Sequence, residues 1–482
     1  MRQRHRFDGI LSPESGPYVY LPFEVPPGAQ RIEVAYQFED RTLRDPDSRS
    51  NVIDIGIFDP RGYEFLGEGF RGWSGSARRQ FFLAPDAATP GYLPGPLIPG
   101  TWNIVLGRAQ LYDPWCRYWV DVNIEVDLSA PGEPAGAFPA PRSIGRAPSR
   151  SSPARWWKGD LHTHTVHSDG SNTVAELASQ ARERGLHYFA VTDHNTSSHI
   201  PDVLAVSSPD LLIIPGEEVT TYKGHANVWG MPGWVDFRCD DIDTIARLMA
   251  FVHEAGGLFS PNHPKRYGPP WLFTDLRGYG FMEVWQAPWR WFNEESREFW
   301  LRHLDEGTRV TAVGGSDTHA IPPAARNQPN GLGEPCTWIR SPGPLDEGAV
   351  LDALLAGHVF ISESFEGPFL ELSADLGDGR FGALMGDVVE SLPDGRLRCR
   401  IRYRGPVDKR IILYRNRDVY WETRAPVEDY VEEISVPVEG RTYIRLEAVG
   451  YRGRPERGEV VHAMTNPIYI GEWARGGPGA LI

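Results

Sequence analysis

The chain has 482 residues, 41% of them hydrophobic and 23% charged, which are the proportions of an ordinary globular protein. This composition excludes fibrous, coiled-coil and wholly disordered proteins, and the length predicts two to four domains of roughly 150 residues each. Asp and Glu number 64 against 49 Lys and Arg, a net charge of −15 that argues against general binding of nucleic acid or of an anionic membrane.

Nothing in the sequence predicts export or a membrane span. No run of about 18 apolar residues could cross a bilayer, and the basic N-terminus is not followed by the apolar stretch of about 7–15 residues that a signal peptide needs. The cysteines are far apart and form no CxxC pair, so neither a disulfide scaffold nor a four-cysteine zinc site is expected. They are Cys116, Cys239, Cys336 and Cys399. These features predict a cytoplasmic protein that does not bind membranes.

The first block, residues 1–127, has the pattern of half-buried antiparallel strands. Apolar side chains occupy every second position over residues 32–38 and again over residues 118–126. Turn signals such as Asp-Pro-Arg-Gly at 59–62 separate the runs, and no amphipathic helix is evident. We expect a β-sandwich here. Residues 128–155 predict a linker, because they are rich in Pro, Gly and Ser and have little apolar surface to bury.

The second block, residues 156–366, alternates short apolar runs with helical segments. The runs predict buried parallel strands at residues 188–191, 211–214, 281–284 and 310–313. Helices are predicted at residues 242–255 and 294–306, and a third begins at the capping box of Thr173 and Glu176 and ends at Gly185. This alternation is typical of a parallel sheet or barrel.

The third block, residues 367–482, returns to strand periodicity. Apolar residues alternate with arginines over residues 396–403. In an acidic chain these arginines are better explained as the solvated face of a strand than as a nucleic-acid patch. We expect a second, smaller β-sandwich.

Histidines are concentrated in the middle block. Eleven of the 14 lie between His162 and His319. His162 and His164 form an HxH pair, and residues two apart on an extended strand point to the same side, so both imidazoles could bind one metal. Asp169 follows directly on a Ser-Asp-Gly turn and offers a carboxylate.

Further ligand-type side chains follow the predicted strands, where parallel barrels build their active sites. They are His194, Glu217, Glu218, His225, His263, Asp317 and His319. Imidazole and carboxylate together suit zinc, manganese or iron rather than calcium.

Taken in order, these segments resemble the PHP (polymerase and histidinol phosphatase) superfamily. The resemblance covers residues 156–366 and rests on Gly-Asp-Leu-His-Thr-His at 159–164, Ser-Asp-Gly at 168–170, Thr-Asp-His at 192–194, Pro-Gly-Glu-Glu at 215–218, His263 and Ser-Asp-Thr-His at 316–319. Gly-His-Ala-Asn at 224–227 and Thr-Asn-Pro-Ile-Tyr at 465–469 are similar to a metallohydrolase branch that includes carbaryl hydrolases. The resemblance implies a distorted (β/α)7 barrel. With the two all-β blocks, this predicts a multidomain protein in which an α/β barrel is flanked by N-terminal and C-terminal β-sandwich domains.

The resemblance also implies a site for two or three divalent metal ions. One metal would be held by His162, His164, Glu218 and Asp317. Glu218 would bridge to a second metal, held also by His225 and His263. A third would be held by Asp169, His194 and His319. The family pattern Pro-Gly-any-Glu selects Glu218 as the bridging ligand, although the residues alone leave Glu217 open.

Two metals that share a hydroxide can lower the pKa of its parent water toward neutrality, and here Glu218 and Asp317 would hold that hydroxide. We therefore expect a metal-dependent hydrolase of a small-molecule ester. A phosphoesterase acting on a phosphate mono- or diester is preferred. A carbamate or carboxyl-ester hydrolase of the carbaryl type is the alternative. A non-enzymatic binding protein is a third, less favoured interpretation, and homo-oligomerisation is left open.

Residues around the metal ligands have weaker signals. Lys223, Arg266 and Arg290 lie in nearby loops and could bind a substrate phosphate, although solvated loop charges are commoner. Trp271 could wall an apolar pocket or simply pack in the core. Asp160 and Asp193 are placed in the sequence to support the ligands from behind. Glu283 is equally compatible with that role and with a structural hydrogen bond.

Overall fold

The computed structural model describes residues 1–39, 50–127, 129, 153–322, 330–389, 392, 394–452 and 458–477. Almost all of the predicted linker lies outside these residues. Within them, no helix combines the length and hydropathy needed to cross a bilayer. All four cysteines are buried free thiols, as their spacing predicts.

The N-terminal block consists of two four-stranded antiparallel sheets. Its strands are β1 (Arg2–Leu11), β2 (Tyr18–Val25), β3 (Ala29–Phe38), β4 (Val52–Phe58), β5 (Phe70–Gly75), β6 (Gln80–Leu83), β7 (Gly100–Gln110) and β8 (Cys116–Val126), with a 3₁₀ turn at Pro13–Ser15. One sheet has the order β1-β8-β3-β6 and the other β2-β7-β4-β5. The alternating residues 32–38 and 118–126 lie in β3 and β8, and their apolar side chains fill the core that the two sheets share.

The described residues of the middle block form ten strands and five helices. The strands are β9 (Ala154–Asp160), β10 (Tyr188–Val191), β11 (Leu212–Thr221), β12 (Gly224–Trp229), β13 (Leu258–Pro261), β14 (Phe281–Gln286), β15 (Thr308–Arg309), β16 (Thr311–Gly315), β17 (Cys336–Pro342) and β18 (Val359–Ser362). The helices are α1 (Val174–Glu183), α2 (Ile200–Val206), α3 (Ile242–Glu254), α4 (Asn293–Asp305) and α5 (Glu347–Ala356).

Local signals predicted α1 correctly. The Thr173 hydroxyl accepts from the Glu176 backbone N–H at 3.2 Å, and the Glu176 carboxylate accepts from the Thr173 backbone N–H at 2.7 Å. Gly185 has φ +62°, the left-handed conformation that commonly ends a helix. Helices α3 and α4 lie within one residue of their predicted bounds.

The four predicted strands correspond to β10, β11, β14 and β16, and each pairs parallel with a neighbour, but the sheet around them is mixed. Strands β9, β10 and β11 are parallel, as are β14 and β16. Strand β12 runs antiparallel to β11, because the turn at Tyr222 and Lys223 is too short for a crossover. Strands β13 and β17 also pair antiparallel with their neighbours. Strand β11 extends to Thr221, so Glu217 and Glu218 lie within the strand rather than after it.

The C-terminal block continues the sheet of the middle block. Its strands are β19 (Phe369–Asp375), β20 (Ala383–Leu384), β21 (Val388–Val389), β22 (Arg396–Arg404), β23 (Arg410–Arg415), β24 (Asp418–Arg424), β25 (Asp429–Pro437), β26 (Thr442–Tyr451), β27 (Glu459–Thr465), β28 (Ile468–Ile470) and β29 (Ala474–Arg475). One sheet has the order β20-β19-β22-β25, whereas β27, β26, β23 and β24 extend the ladder of the middle block from β18. The arginines of β22 are exposed and pair with carboxylates such as Glu433, as expected for a solvated face.

Candidate metal centre

The HxH pair lies just beyond β9, in an extended segment. Thr163 forms a parallel bridge to Thr318, and its hydroxyl points away to donate to the Ala190 carbonyl at 2.7 Å. The two histidines therefore share the other side, as the sequence predicts, and the Nε2 atoms of His162 and His164 are 3.1 Å apart. Both rings are fully buried.

Glu218 lies at the centre of the cluster. Its Oε1 is 3.3 Å from His162 Nε2, 3.2 Å from His225 Nδ1 and 3.4 Å from His263 Nε2. Its Oε2 is 3.4 Å from His164 Nε2 and 2.9 Å from His194 Nδ1. One carboxylate thus touches five imidazoles, which is the arrangement needed to bridge metal ions.

Glu217 points the other way, because neighbouring residues of a strand face opposite sides. Its Oε2 accepts from the Val235 backbone N–H at 2.9 Å, and burial raises the pKa of Glu217 well above its usual value. The geometry therefore makes Glu218, and not Glu217, the carboxylate that faces the histidines.

Asp317 joins the cluster from the loop after β16. Its Oδ1 is 2.9 Å from His164 Nε2 and 3.3 Å from His162 Nε2. The approach is close because Gly315 has no side chain: a Cβ there would lie 2.3 Å from the His162 Cβ. Asp317 has φ +52° and His263 has φ +32°, and such backbone strain is common at functional sites.

Asp169 and His319 complete the cluster on its solvent side. Asp169 Oδ1 is 3.3 Å from His319 Nε2 and 3.6 Å from His194 Nε2. The side chains of Asp169 and His319 are 46% and 26% exposed, the highest values among the nine candidates. A substrate would reach the cluster from this side.

Eight of the nine candidates thus form overlapping groups, within each of which the ligand atoms lie within 4.8 Å of one another. The groups are His162, His164, Glu218 and Asp317; His164, Asp169, His194 and His319; and His194, Glu218 and His225. The first matches the set that the resemblance implies. The second group differs from the implied third-metal set because it also includes His164, which faces Asp169. The third group differs from the implied second-metal set because it includes His194, which faces Glu218. His263 is joined to them through Glu218.

The charges of the cluster fit divalent cations. Although burial favours neutral imidazole, Glu218, Glu283 and Asp317 hold the pKa of His162 well above its usual value. Burial and two neighbouring histidines lower the pKa of His164 to about 4, so its lone pair is free for a metal. Buried carboxylates of this kind attract positive charge, and mixed nitrogen and oxygen donors suit zinc, manganese or iron.

A comparison with protein families agrees with this geometry. Residues 160–238 match the PHP domain. Six of the nine candidates lie inside the matched segment, and His263, Asp317 and His319 lie beyond it. This match confirms the prediction that the chain is an enzyme.

A curated relative of the PHP domain is the 5'-3' exoribonuclease Rnm of Salmonella typhimurium, which is 40% identical over 65 residues. The aligned segment is 13% of this chain and 22% of that protein, so the chain covers about a fifth of the relative's length.

Solved structures show weaker similarity. A two-domain protein from Bacteroides vulgatus, described as containing a PHP-like metal-dependent phosphoesterase, is 14% identical over 69% of this chain and 100% of its own, with a TM-score of 0.37. A protein from Bifidobacterium adolescentis, described as a metal-dependent phosphoesterase, is 19% identical over 40% of this chain and 94% of its own, with a TM-score of 0.29. An amidohydrolase from Chromobacterium violaceum is 16% identical over 40% and 96%, with a TM-score of 0.27.

Polar residues that are not candidate ligands hold the ligand side chains and their backbone segments in position by hydrogen bonds. Glu283 Oε1 lies 2.8 Å from His162 Nδ1, and its Oε2 accepts from the His263 N–H at 3.0 Å, which assigns it the supporting role that the sequence left open. Asp160 and Asp193 accept from backbone and hydroxyl groups of the ligand segments, and Asp193 Oδ2 also lies 3.3 Å from Nδ1 of His199, which is not a candidate ligand. Asp160 accepts from the His162 and Ser316 N–H groups at 3.2 and 3.0 Å.

Three supporting residues were missed in the sequence. Thr220 Oγ1 lies 2.6 Å from His194 Nδ1, Asn262 Nδ2 donates to Glu218 Oε1 at 2.8 Å, and Gln286 Nε2 donates to Asp317 Oδ2 at 2.8 Å. Thr220 had a usable signal, because it lies two residues after Glu218 and shares its face of the strand. Asn262 and Gln286 had no such signal, except that Asn262 precedes His263 and Gln286 lies at the end of a strand.

The predicted substrate-binding residues lie apart from the ligand cluster. Lys223 is exposed and donates to the Asp240 carbonyl, and Arg266 is exposed and bonds to Glu295. Trp271 is 5% exposed and donates to the Phe273 carbonyl, and Arg290 is exposed. In the described part of the chain, no hydrogen bond, ion pair or ring contact joins any of the four to the nine candidates.

Two of these residues line a cleft that begins at Pro264, the residue after His263, and that none of the nine candidates lines. Arg266 and Trp271 border a space of about 540 Å³ together with Pro264 and Lys265. The Lys265 ammonium is buried and donates to the Gln286 carbonyl and to Asn293 Oδ1 at 3.0 and 2.8 Å, and burial lowers its pKa to about 7.

Proposed function

We propose that this chain is a metal-dependent phosphoesterase that acts on a small phosphate mono- or diester. The observation that carries the proposal is the single Glu218 carboxylate in contact with five imidazoles, with Asp317, Asp169 and His319 around it. We assign all nine candidates as ligands of two or three divalent metals. Bound metals would supply a hydroxide nucleophile at neutral pH and offset charge on the attacked ester.

The chain's own residues would hold this site rigid. Glu283 fixes the His162 ring, Gln286 fixes the Asp317 carboxylate and Asn262 fixes the Glu218 carboxylate. Preoriented ligands of this kind lose little freedom when the reaction begins. Asp169 and His319, the most exposed ligands, lie where the ester enters.

A phosphoester is preferred because a PHP-domain relative is named as an exoribonuclease, and an exoribonuclease hydrolyses phosphodiester bonds. The acidic charge of this chain favours a small substrate over long nucleic acid.

A second candidate is a carbamate or carboxyl-ester hydrolase. The cleft of about 540 Å³ that begins at Pro264 favours it, because Pro264, Pro270, Trp271 and Phe299 offer apolar surface for an aromatic leaving group. A binding protein without activity has no comparable support.

The finer architecture belongs to the same proposal. We infer that β9 to β14 and β16 to β18, with their helices, form a distorted (β/α)7 barrel whose ladder is interrupted next to β14 and β16. Side chains cross one of these gaps, since Gly314 N–H donates to Thr337 Oγ1 at 2.9 Å. The sheets before and after it correspond to flanking β-sandwich domains.

The proposal is tested by parallel rate assays on protein loaded with manganese or zinc. Bis(p-nitrophenyl) phosphate and 1-naphthyl N-methylcarbamate are compared, with Asp317→Ala as the inactive variant and the exposed Asp429→Ala as its matched control. We expect phosphodiester turnover that falls at least about 100-fold in Asp317→Ala and is unchanged in Asp429→Ala. Turnover of the carbamate alone would favour the second candidate. Full activity in metal-replete Asp317→Ala would overturn the site.

A further inference from the structure

The N-terminal sheets contact the PHP domain at the two segments that carry the outer ligands. Arg78, in the turn between β5 and β6, donates from its guanidinium to the Ser168 carbonyl at 2.9 Å and to the Val166 carbonyl. Ser168 immediately precedes Asp169 in the chain, and Val166 lies in the same loop just before His167. No sequence motif marks Arg78, which lies more than 80 residues before its partners.

A second contact holds the segment after His194. The Gly91 N–H donates to Ser198 Oγ at 2.9 Å, and its carbonyl accepts from Thr196 Oγ1 at 3.0 Å. Ser198 in turn lies 2.8 Å from His167 Nδ1, in the Asp169 loop. A Cβ at Gly91 would approach the His167 carbonyl to 2.9 Å, so only glycine allows this close packing.

The inner side of the Asp169 loop is already fixed within the PHP domain. Asp193 accepts from Thr165 Oγ1 and from Ser168 Oγ, each at 2.6 Å. On the outer side of the loop, the Val166 and Ser168 carbonyls both accept from the planar guanidinium of Arg78. Asp169 is the most exposed of the nine ligands, so its position depends on this loop more than on packing around its own side chain.

We propose that Arg78 is a positioning residue for Asp169, so that the N-terminal sheets complete the outermost metal position. This inference rests on the proposed metal centre. Arg78 touches neither metal nor substrate and acts through the loop backbone. The N-terminal block is then part of the active site's framework and not a separable binding module.

The test is a Mn²⁺ titration of metal-free full-length protein, followed by calorimetry, for wild type, Arg78→Met, Arg78→Lys and Tyr20→Phe. Arg78→Met keeps the length and removes both donors. Tyr20→Phe is the matched control, because it removes a different contact between the same two domains, the Tyr20 hydroxyl that Arg238 binds at 2.5 Å. Hydrogen exchange of the peptide containing residues 165–170 is measured on the same proteins.

We expect Arg78→Met to weaken the weakest Mn²⁺ site about 10-fold, with the tighter binding unchanged and with faster exchange in residues 165–170. Arg78→Lys should recover part of the Mn²⁺ affinity and part of the protection from exchange, because an ammonium can still donate to the carbonyls. Identical isotherms for Arg78→Met and Tyr20→Phe would overturn the inference, as would equal weakening of every site together with a lower unfolding midpoint. Absence of Mn²⁺ binding in the wild type would refute the metal centre itself, whereas binding without ester hydrolysis would refute only the proposed reaction.

Discussion

His253, in α3, is a buried histidine outside the metal centre. It is 7% exposed, and neither ring nitrogen has a hydrogen-bond partner among the described residues. Burial lowers its pKa to about 4, and that of His303 in α4 likewise to about 4. An unfolded histidine titrates near 6.5, so the folded chain binds fewer protons between these values. The stability from these groups is complete above about pH 6.5 and is lost as the pH falls toward 4.

His253→Leu tests this linkage. Leucine fills similar space and cannot be protonated, so the variant should lose less stability than wild type on going from pH 8 to pH 5, by about 1 kcal/mol. Urea unfolding of the metal-free proteins at the two pH values measures the difference. An unchanged pH dependence would show that His253 is hydrated or paired in the folded state.

At the scale of single residues, the sequence could predict what lies in local motifs. His162 and His164 are two apart on one extended segment, and their shared side follows from backbone geometry alone. The bonds from Thr220, Asn262 and Gln286 join residues 26, 44 and 31 positions apart. No local pattern encodes such contacts, because they exist only once the strands have been brought together.

The Asn466 side chain forms hydrogen bonds to the backbone of β16 of the kind that a neighbouring strand would make. It lies between β27 and β28, its Oδ1 accepts from the Ala312 N–H at 2.7 Å, and its Nδ2 donates to the carbonyls of Ala312 and Val359 at 2.9 and 3.0 Å. The Thr-Asn-Pro motif at 465–467 therefore has a structural role on β16, the strand that leads to Asp317.

Asn466→Ala should destabilise the protein by about 2–3 kcal/mol, because it removes the side-chain acceptor of the buried Ala312 N–H and one donor from each of the Ala312 and Val359 carbonyls. Asn466→Asp keeps the acceptor and loses the donor, and should cost less at low pH than at neutral pH. Denaturant midpoints of the three proteins check the order. Equal stability of Asn466→Ala and wild type would mean that water replaces the side chain.

Helices that local sequence signals encode were predicted correctly, whereas the direction of a strand that follows a tight turn was not. Helix α1 follows from its capping box, and α3 and α4 from their periodicity. The antiparallel direction of β12 depends on a tight turn at Tyr222 and Lys223, which carry no strong turn signal. The resulting position of His225 beside Glu218 was reached only through the family resemblance.

For the whole molecule, composition divided the chain into blocks but could not show how they join. One apolar cluster includes Trp73 from the N-terminal block, Trp285 from the middle block and Tyr443 from the C-terminal block. The Arg297 guanidinium in α4 also pairs with Glu447 in β26 at 2.8 Å. Sequence periodicity identifies which residues of a strand are buried, but not which neighbouring domain buries them. The three blocks therefore share one apolar core.

We propose that Glu218 binds metal ions at this centre, and substitutions at two adjacent glutamates test this proposal. Metal-free wild type, Glu218→Gln and Glu217→Gln are dialysed against Mn²⁺, and the bound metal is counted per chain. Glu217 is the matched control, because it is the neighbouring buried glutamate on the opposite face of β11. We predict more than one equivalent in wild type and in Glu217→Gln, and a marked loss in Glu218→Gln. Undiminished binding by Glu218→Gln, or no binding by wild type, would contradict the account.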